Sequence, residues 1–125
     1  MTVLIDTDIA IEVLRARDQA ILSKWSALAL SGADVLYSPV TAAEVWAGAL
    51  PREHQLISRF FRPLLCIATD YEAGQLAGEF LRKFARSHNL EIPDALIAAA
   101  AVQHRAALWT RNRKHYPMTG LTFYS

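Results

Sequence analysis

The sequence lacks the features that mark secreted, zinc-binding or membrane-spanning proteins. Its single cysteine, Cys66, excludes a disulfide within the chain and a cluster of cysteine ligands for zinc. No apolar run is long enough to span a bilayer, and no basic segment precedes an apolar stretch as in a signal peptide. These absences predict a cytoplasmic protein with no membrane segment. Cys66, within the apolar segment 64–68, is expected to be buried.

Signatures of several enzyme classes are also missing. No glycine-rich phosphate loop precedes a helix, and the four histidines are scattered without a His-x-x-x-His pair. A phosphoacceptor receiver domain has this size and an acidic pair after its first strand, but it needs an aspartate at the end of its third strand. Residues 48–65 contain no aspartate, so this class is disfavoured.

Length and composition bound what remains. A chain of 125 residues, 53% of them apolar, is large enough for one domain, 1–125, with one hydrophobic core. The net charge of +1 is unevenly distributed: residues 1–80 carry six basic and ten acidic side chains, and residues 81–125 carry seven and two. This split permits a basic rim for a polyanion beside an acidic pocket, although solvated helix faces also explain it.

Short apolar segments alternate with segments of helical periodicity. The strand-like segments are 3–5, 34–38, 65–68, 107–110 and 121–123. Six helices are predicted between them, and the clearest begins at a capping box, 69–72, and carries an apolar stripe from Ala73 to Ala85. Strands that alternate with helices predict a three-layer α/β/α fold with a central, mainly parallel sheet covered on both faces.

Three carboxylates stand where a buried segment meets a strand end or the first turns of a helix. They are Asp6 after the first apolar strand, Glu44 within an apolar segment, and Asp94 at the start of an alanine-rich helix. Carboxylates rarely occupy such places without a partner, and no basic residue adjoins any of the three in the sequence. A divalent cation would satisfy all of them, and Mg²⁺ and Mn²⁺ prefer carboxylate and water oxygens.

Each of these residues also has an ordinary structural explanation. Asp6 and Asp8 suit the start of the helix that follows the first strand. Glu44 closes the segment 41–44, which has the form of a capping box. Asp94 suits the positive end of a helix dipole. Only placement of the three on one surface would favour a metal site over these local roles.

Four short motifs follow one another at characteristic spacings. They are Leu4-Ile5-Asp6-Thr7-Asp8, Val40-Thr41-Ala42-Ala43-Glu44, Ile92-Pro93-Asp94-Ala95-Leu96-Ile97-Ala98-Ala99 and Trp109-Thr110-Arg111-Asn112. In this order they resemble a PIN domain and, more narrowly, the VapC-type toxins of bacterial toxin–antitoxin pairs. The resemblance covers essentially the whole chain.

The resemblance implies a function and a set of partners. A protein of this family is a metal-dependent endoribonuclease toxin that hydrolyses RNA phosphodiester bonds. It is usually a homodimer, and a cognate VapB-like antitoxin holds it inactive. The catalytic, metal-binding carboxylates of the family map onto Asp6, Glu44 and Asp94, where the ion would be Mg²⁺ or Mn²⁺.

The segment after the last motif departs from the family pattern. The family often carries a fourth acidic residue there, but residues 110–116 contain no carboxylate. Asn112 and His115 occupy the two candidate positions, and Asn112, close to Thr110, is favoured as the fourth catalytic residue. An amide oxygen is a weaker ligand than a carboxylate, so a second metal is expected to bind loosely or to arrive with the substrate phosphate.

Polar and basic residues near these motifs are expected to support the site. Those expected to orient ligands or to hold the RNA backbone are Thr7, Asp8, Thr110, Arg111, Arg113 and Lys114. Tyr116 and Tyr124 are candidates for stacking on bases, which single-stranded RNA can present.

A PIN-like module that binds RNA or a partner without cleaving it is the alternative function. The missing fourth carboxylate is its only support, whereas the presence of Asp6, Glu44 and Asp94 favours a nuclease.

Overall fold

Five strands and six helices alternate along the chain. The computed structural model describes residues 1–125. The strands are β1 (Thr2–Ile5), β2 (Asp34–Tyr37), β3 (Leu65–Cys66), β4 (Ala107–Trp109) and β5 (Thr122–Phe123). The helices are α1 (Thr7–Arg15), α2 (Gln19–Leu30), α3 (Pro39–Ala47), α4 (His54–Phe61), α5 (Tyr71–His88) and α6 (Ile92–Gln103), and Pro51–Glu53 and Arg113–His115 form short 3₁₀ helices.

The strands form one parallel sheet in the order β3-β2-β1-β4-β5. At its centre, Leu4 lies beside Leu36 on one neighbouring strand and beside Leu108 on the other. Parallel neighbours require crossover connections, and the helices supply them. The predicted three-layer α/β/α architecture is confirmed, and every strand pairing is parallel.

Alternate residues of β1 serve the two faces of the sheet. Leu4 belongs to a core cluster with α5 and α6, whereas Val3 and Ile5 belong to a second cluster with α1, α2 and α4. All three side chains are fully buried. This period of two places β1 at the middle of the molecule and holds the residue that follows it, Asp6, in a fixed position.

Two predicted capping boxes, at 41–44 and 69–72, are replaced by caps at other residues. Ser38 caps α3 through a hydrogen bond from the backbone N–H of Val40, so Glu44 lies inside the helix and not at position N3 of a capping box. This removes the local explanation of Glu44. For α5 the cap is Asp70, whose carboxylate accepts from the backbone N–H of Ala73.

The expectation that Cys66 is buried is wrong. Cys66 is exposed, as is its neighbour Leu65, because the two residues form β3 at the open edge of the sheet. None of the helices combines the length and the apolar character that crossing a bilayer requires.

The alanines of α6 permit close packing against α5 and the sheet. Ala98, Ala99 and Ala100 have no exposed surface. We expect Ala99→Leu to lower the free energy of unfolding by about 1–3 kcal/mol, because a closed core has no room for a longer side chain. Urea denaturation measures this effect. Gln103→Leu, at the exposed end of α6, is the control and should change stability by less than about 0.5 kcal/mol. Equal stability of the two variants would contradict the close packing of α6.

Candidate functional site

The candidate site lies at the carboxyl end of the sheet between β1 and β4. The strand order reverses there, since the chain runs from β1 towards β2 and β3 on one side and through β4 and β5 on the other. Ligands bind at such switch points in open parallel sheets. Asp6 leaves β1 at this point, and its backbone N–H donates to the carbonyl of Trp109 over 2.9 Å.

The carboxylate of Asp6 is buried and receives three hydrogen bonds. Its Oδ1 accepts from the backbone N–H of Thr7 over 2.8 Å. Its Oδ2 accepts from the hydroxyls of Thr110, over 2.7 Å, and Tyr116, over 2.9 Å. Asp6 also caps α1, so the capping role predicted for it holds together with its place in the site.

Asp94 lies in the first turn of α6 and faces Asp6 across the hydroxyl of Tyr116. That hydroxyl is 3.5 Å from Oδ1 of Asp94. Burial and the charges of Asp6 and Glu44 raise the pKa of Asp94, while a backbone hydrogen bond from Glu91 and the nearby His115 lower it in part. The pKa of Asp94 therefore depends on the charges of two other acidic groups of the site.

Glu44 approaches the site from α3 and is exposed to solvent. Its Oε1 accepts a hydrogen bond from the hydroxyl of Thr7 over 2.7 Å. The same hydroxyl lies 3.0 Å from that of Thr41, which is fully buried. Thr7 thus links α1 to α3 and holds Glu44 towards the carboxylates of Asp6 and Asp94.

Asp8 is a fourth carboxylate beside the site. Its Oδ2 accepts from the backbone N–H of Arg111 over 3.0 Å and from the amide of Asn112 over 3.4 Å. Its Oδ1 is buried without any hydrogen-bond partner. Burial and the charge of Asp6 raise the pKa of Asp8 to about 6. Asn112 and His115 both lie near the site, but they face different carboxylates.

The loop after β4 carries the predicted basic residues and borders an open cleft of about 450 Å³. The cleft is lined by Thr110, Arg111, Asn112, Arg113, Lys114 and His115. Two of the basic side chains are already engaged. Arg111 pairs with Glu12 over 3.1 Å, and Arg113 lies over the ring of Phe123 and donates to the carbonyl of Tyr124.

The structure brings the predicted acidic residues to one edge of the sheet, but they do not form a ready-made cage. No three histidine, cysteine or acidic side chains lie close enough together to enclose a metal ion. Yet both ion pairs of the chain involve Glu12, so no lysine or arginine forms an ion pair with a carboxylate of the site. Magnesium usually binds one or two carboxylates and keeps several waters. The donor chemistry therefore fits an open, hydrated cation site.

The sequence interpretation missed the role of Tyr116. It was predicted to stack on bases, but only 3% of its surface is exposed and its hydroxyl lies between two site carboxylates. That prediction is wrong for Tyr116. Tyr124 packs against Trp109, with Lys24 over its ring. The segment 111–117 looks like a polar loop, and nothing in its local pattern marks Tyr116 as internal.

Comparison with known proteins identifies the family of the chain. The family profile described as "PIN domain" matches residues 3–120. Ribonuclease VapC19 of Mycobacterium tuberculosis is 30% identical over 116 residues, which cover 92% of each chain. Ribonuclease VapC10 of the same organism is 31% identical over 121 residues, covering 93% of this chain and 86% of that protein.

Solved structures with the same fold include a toxin–antitoxin complex from Klebsiella pneumoniae, which has a TM-score of 0.72 at 25% identity and covers 96% of this chain and 95% of that one. FitAcB from Neisseria gonorrhoeae is similar with a TM-score of 0.73 at 25% identity, covering 98% of this chain and 96% of that one. VapBC2 from Rickettsia felis, bound to a promoter DNA fragment, has a TM-score of 0.80 at 24% identity and supports the fold alone, with 99% and 98% of the two chains covered. With a family match that spans nearly all of its residues, the chain belongs to the PIN domain family, within its VapC group.

Proposed function

We propose that the protein is a metal-dependent endoribonuclease that acts as the toxin of a toxin–antitoxin pair. One observation carries the proposal: Asp6, Glu44 and Asp94 lie at one edge of the sheet, joined through the hydroxyls of Thr7 and Tyr116, and no lysine or arginine forms an ion pair with any of them. The ribonuclease names of the VapC relatives support the same chemistry. Substrate would be RNA, and the ion Mg²⁺ or Mn²⁺.

Some residues of the site would bind the ion, and others orient the side chains that bind it. Asp6, Glu44 and Asp94 would hold the ion, which supplies Lewis-acid activation of the phosphodiester and of an attacking water. Thr7 orients Glu44, and Thr110 orients Asp6, through the hydroxyl hydrogen bonds of 2.7 Å that each donates. No carboxylate follows β4, so we propose one resident ion, with any second ion arriving with the substrate phosphate.

Lys114 is the basic residue of the loop best placed to hold the RNA backbone. All three basic residues are exposed and line the cleft, but Arg111 and Arg113 are engaged with Glu12 and with the carboxyl-terminal segment, whereas Lys114 has no partner. A cleft lined only by polar and basic residues suits a phosphate backbone. Arg111 would have to leave Glu12 in order to contact RNA.

A cognate VapB-like antitoxin is the proposed protein partner. The solved structures that share this fold include a toxin–antitoxin complex. Next to the site, an apolar groove of about 220 Å³ runs between α1, α3 and α4, lined by Leu14, Val45, Leu56 and Ile57 among others, with Glu44 at its edge. A segment bound in this groove would lie beside Glu44. We also propose a homodimer, by analogy with the family.

A non-cleaving PIN-like module that binds RNA or a partner is the second candidate. The absence of a carboxylate after β4 and of a closed ligand cage favours it. Unlike the nuclease, such a module would retain RNA without metal-dependent cuts.

Asp94→Asn should separate the two functions. The raised pKa of Asp94 means that its charged form is disfavoured in the folded protein, so this substitution should raise the melting temperature in EDTA at pH 7. Mn²⁺ should stabilise the wild-type protein but not the variant. Cleavage of a structured RNA panel should fall by more than about 100-fold, since even indirect partners of metal ligands cost about 10–100-fold.

The matched control is Asp34→Asn, which removes an exposed carboxylate at the start of β2. It should leave cleavage and Mn²⁺ stabilisation unchanged. Retention of RNA by the antitoxin-free wild-type protein without cuts under Mg²⁺ or Mn²⁺ would reject the nuclease in favour of the binding module.

Leu56→Glu tests the antitoxin groove. Leu56 is 53% exposed on α4, so a charge there should not unfold the protein, but it should oppose burial of an apolar partner segment. We expect loss of co-purification with the co-expressed antitoxin and unchanged RNA cleavage. Leu30→Glu, at an 88% exposed position outside the groove, should retain the antitoxin. Full retention by Leu56→Glu would place the antitoxin elsewhere.

A further inference from the structure

Tyr116 reaches the site from within the core. Its ring belongs to the cluster formed with α5 and α6, and its hydroxyl lies at the boundary between that cluster and the acidic edge of the sheet. No other tyrosine of the chain donates to a carboxylate of the site. A phenylalanine would fill the same core volume, so the hydroxyl requires a separate explanation.

Counting hydrogen bonds to Asp6 supplies that explanation. A carboxylate oxygen offers about two lone pairs. Oδ2 of Asp6 receives the hydroxyls of Thr110 and Tyr116 at 2.7 and 2.9 Å, so both of its lone pairs are used. Oδ1 receives only the backbone N–H of Thr7, at 2.8 Å, and keeps one lone pair.

The hydroxyl of Tyr116 cannot serve both of its carboxylate neighbours. It has one hydrogen, and the shorter contact of 2.9 Å assigns that hydrogen to Asp6. Asp94, at 3.5 Å, faces the hydroxyl at the limit of hydrogen-bond distance. The tyrosine therefore occupies one oxygen of Asp6 and leaves the carboxylate of Asp94 available to an ion.

We propose that Tyr116 is a positioning residue that, together with Thr110, restricts Asp6 to a single free oxygen, Oδ1, for a divalent cation. This inference rests on the proposed function. A ligand that offers one oxygen suits the octahedral geometry and short bonds of Mg²⁺, whereas Ca²⁺ accepts carboxylates that bind through two oxygens. The pair of hydroxyls thus selects for the smaller ion.

Calorimetric titration of the purified, antitoxin-free chain with MgCl₂ and with CaCl₂ tests this selection. Tyr116→Phe removes one of the two hydroxyls that orient Asp6, so it should weaken Mg²⁺ binding by about tenfold, the scale of lost outer contacts to a metal ligand. Ca²⁺ can use the freed lone pair of Oδ2 as a second ligand and should lose no affinity, so the ratio of the Mg²⁺ affinity to the Ca²⁺ affinity falls. A merely structural defect would weaken the binding of both ions alike.

Three further variants check the assignment. Thr110→Val removes the second hydroxyl and should lower the same ratio, whereas Thr110→Ser retains a hydroxyl and should preserve it. Tyr124→Phe removes a hydroxyl outside the acidic cluster and should also preserve it. Each of these variants is informative even if another fails to fold.

The outcomes separate this inference from the proposed function. Suppose that the wild-type protein binds Mg²⁺ and cleaves RNA. If Tyr116→Phe then keeps the wild-type ratio of Mg²⁺ to Ca²⁺ affinity, or loses affinity for both ions equally, the positioning role is overturned and the nuclease stands. If the wild-type protein binds neither ion and cleaves no RNA, both proposals are overturned.

Discussion

The arrangement of the site depends on one buried carboxylate, that of Asp6, which accepts hydrogen bonds from neutral donors only. Asp6 sits where β1 and β4 diverge, and backbone and hydroxyl groups orient it without cancelling its charge. Burial, and then repulsion by the charge of Asp6, raise the pKa values of Asp8 and Asp94. The fold therefore holds like charges together at one edge, an arrangement that costs stability and is retained where a cation or a reaction requires it.

The position of the site could be predicted because it follows from chain order. In a parallel sheet every strand delivers its last residue to the same edge, so an acidic residue directly after an apolar strand is expected there. Asp6 meets this condition, and Asp94 meets the related one of opening a buried helix. The order of apolar and acidic segments thus shows that each carboxylate borders a buried segment, whereas their placement at one edge comes only from the fold.

Contacts between distant segments could not be predicted in this way. Tyr116 and Asp6 are 110 residues apart in sequence, and no periodicity relates a tyrosine in a polar loop to the end of the first strand. The prediction that Cys66 is buried failed for a similar reason. The order of the strands in the sheet decides that β3 lies at an edge. The sequence pattern suggested that Glu44 closes a capping box, but the helix begins about one turn earlier, with Ser38 as its cap.

The ion pair between Arg111 and Glu12 also limits how the loop after β4 responds to its surroundings. Arg111 and Arg113 already have partners within the protein, which leaves Lys114 as the solvated lysine of a loop that looks strongly basic in sequence. Association with a polyanion gains entropy from the small ions that both partners release. Fewer ions would be released here than three free cations imply, so affinity for RNA would decline less steeply with ionic strength than the composition of the loop suggests.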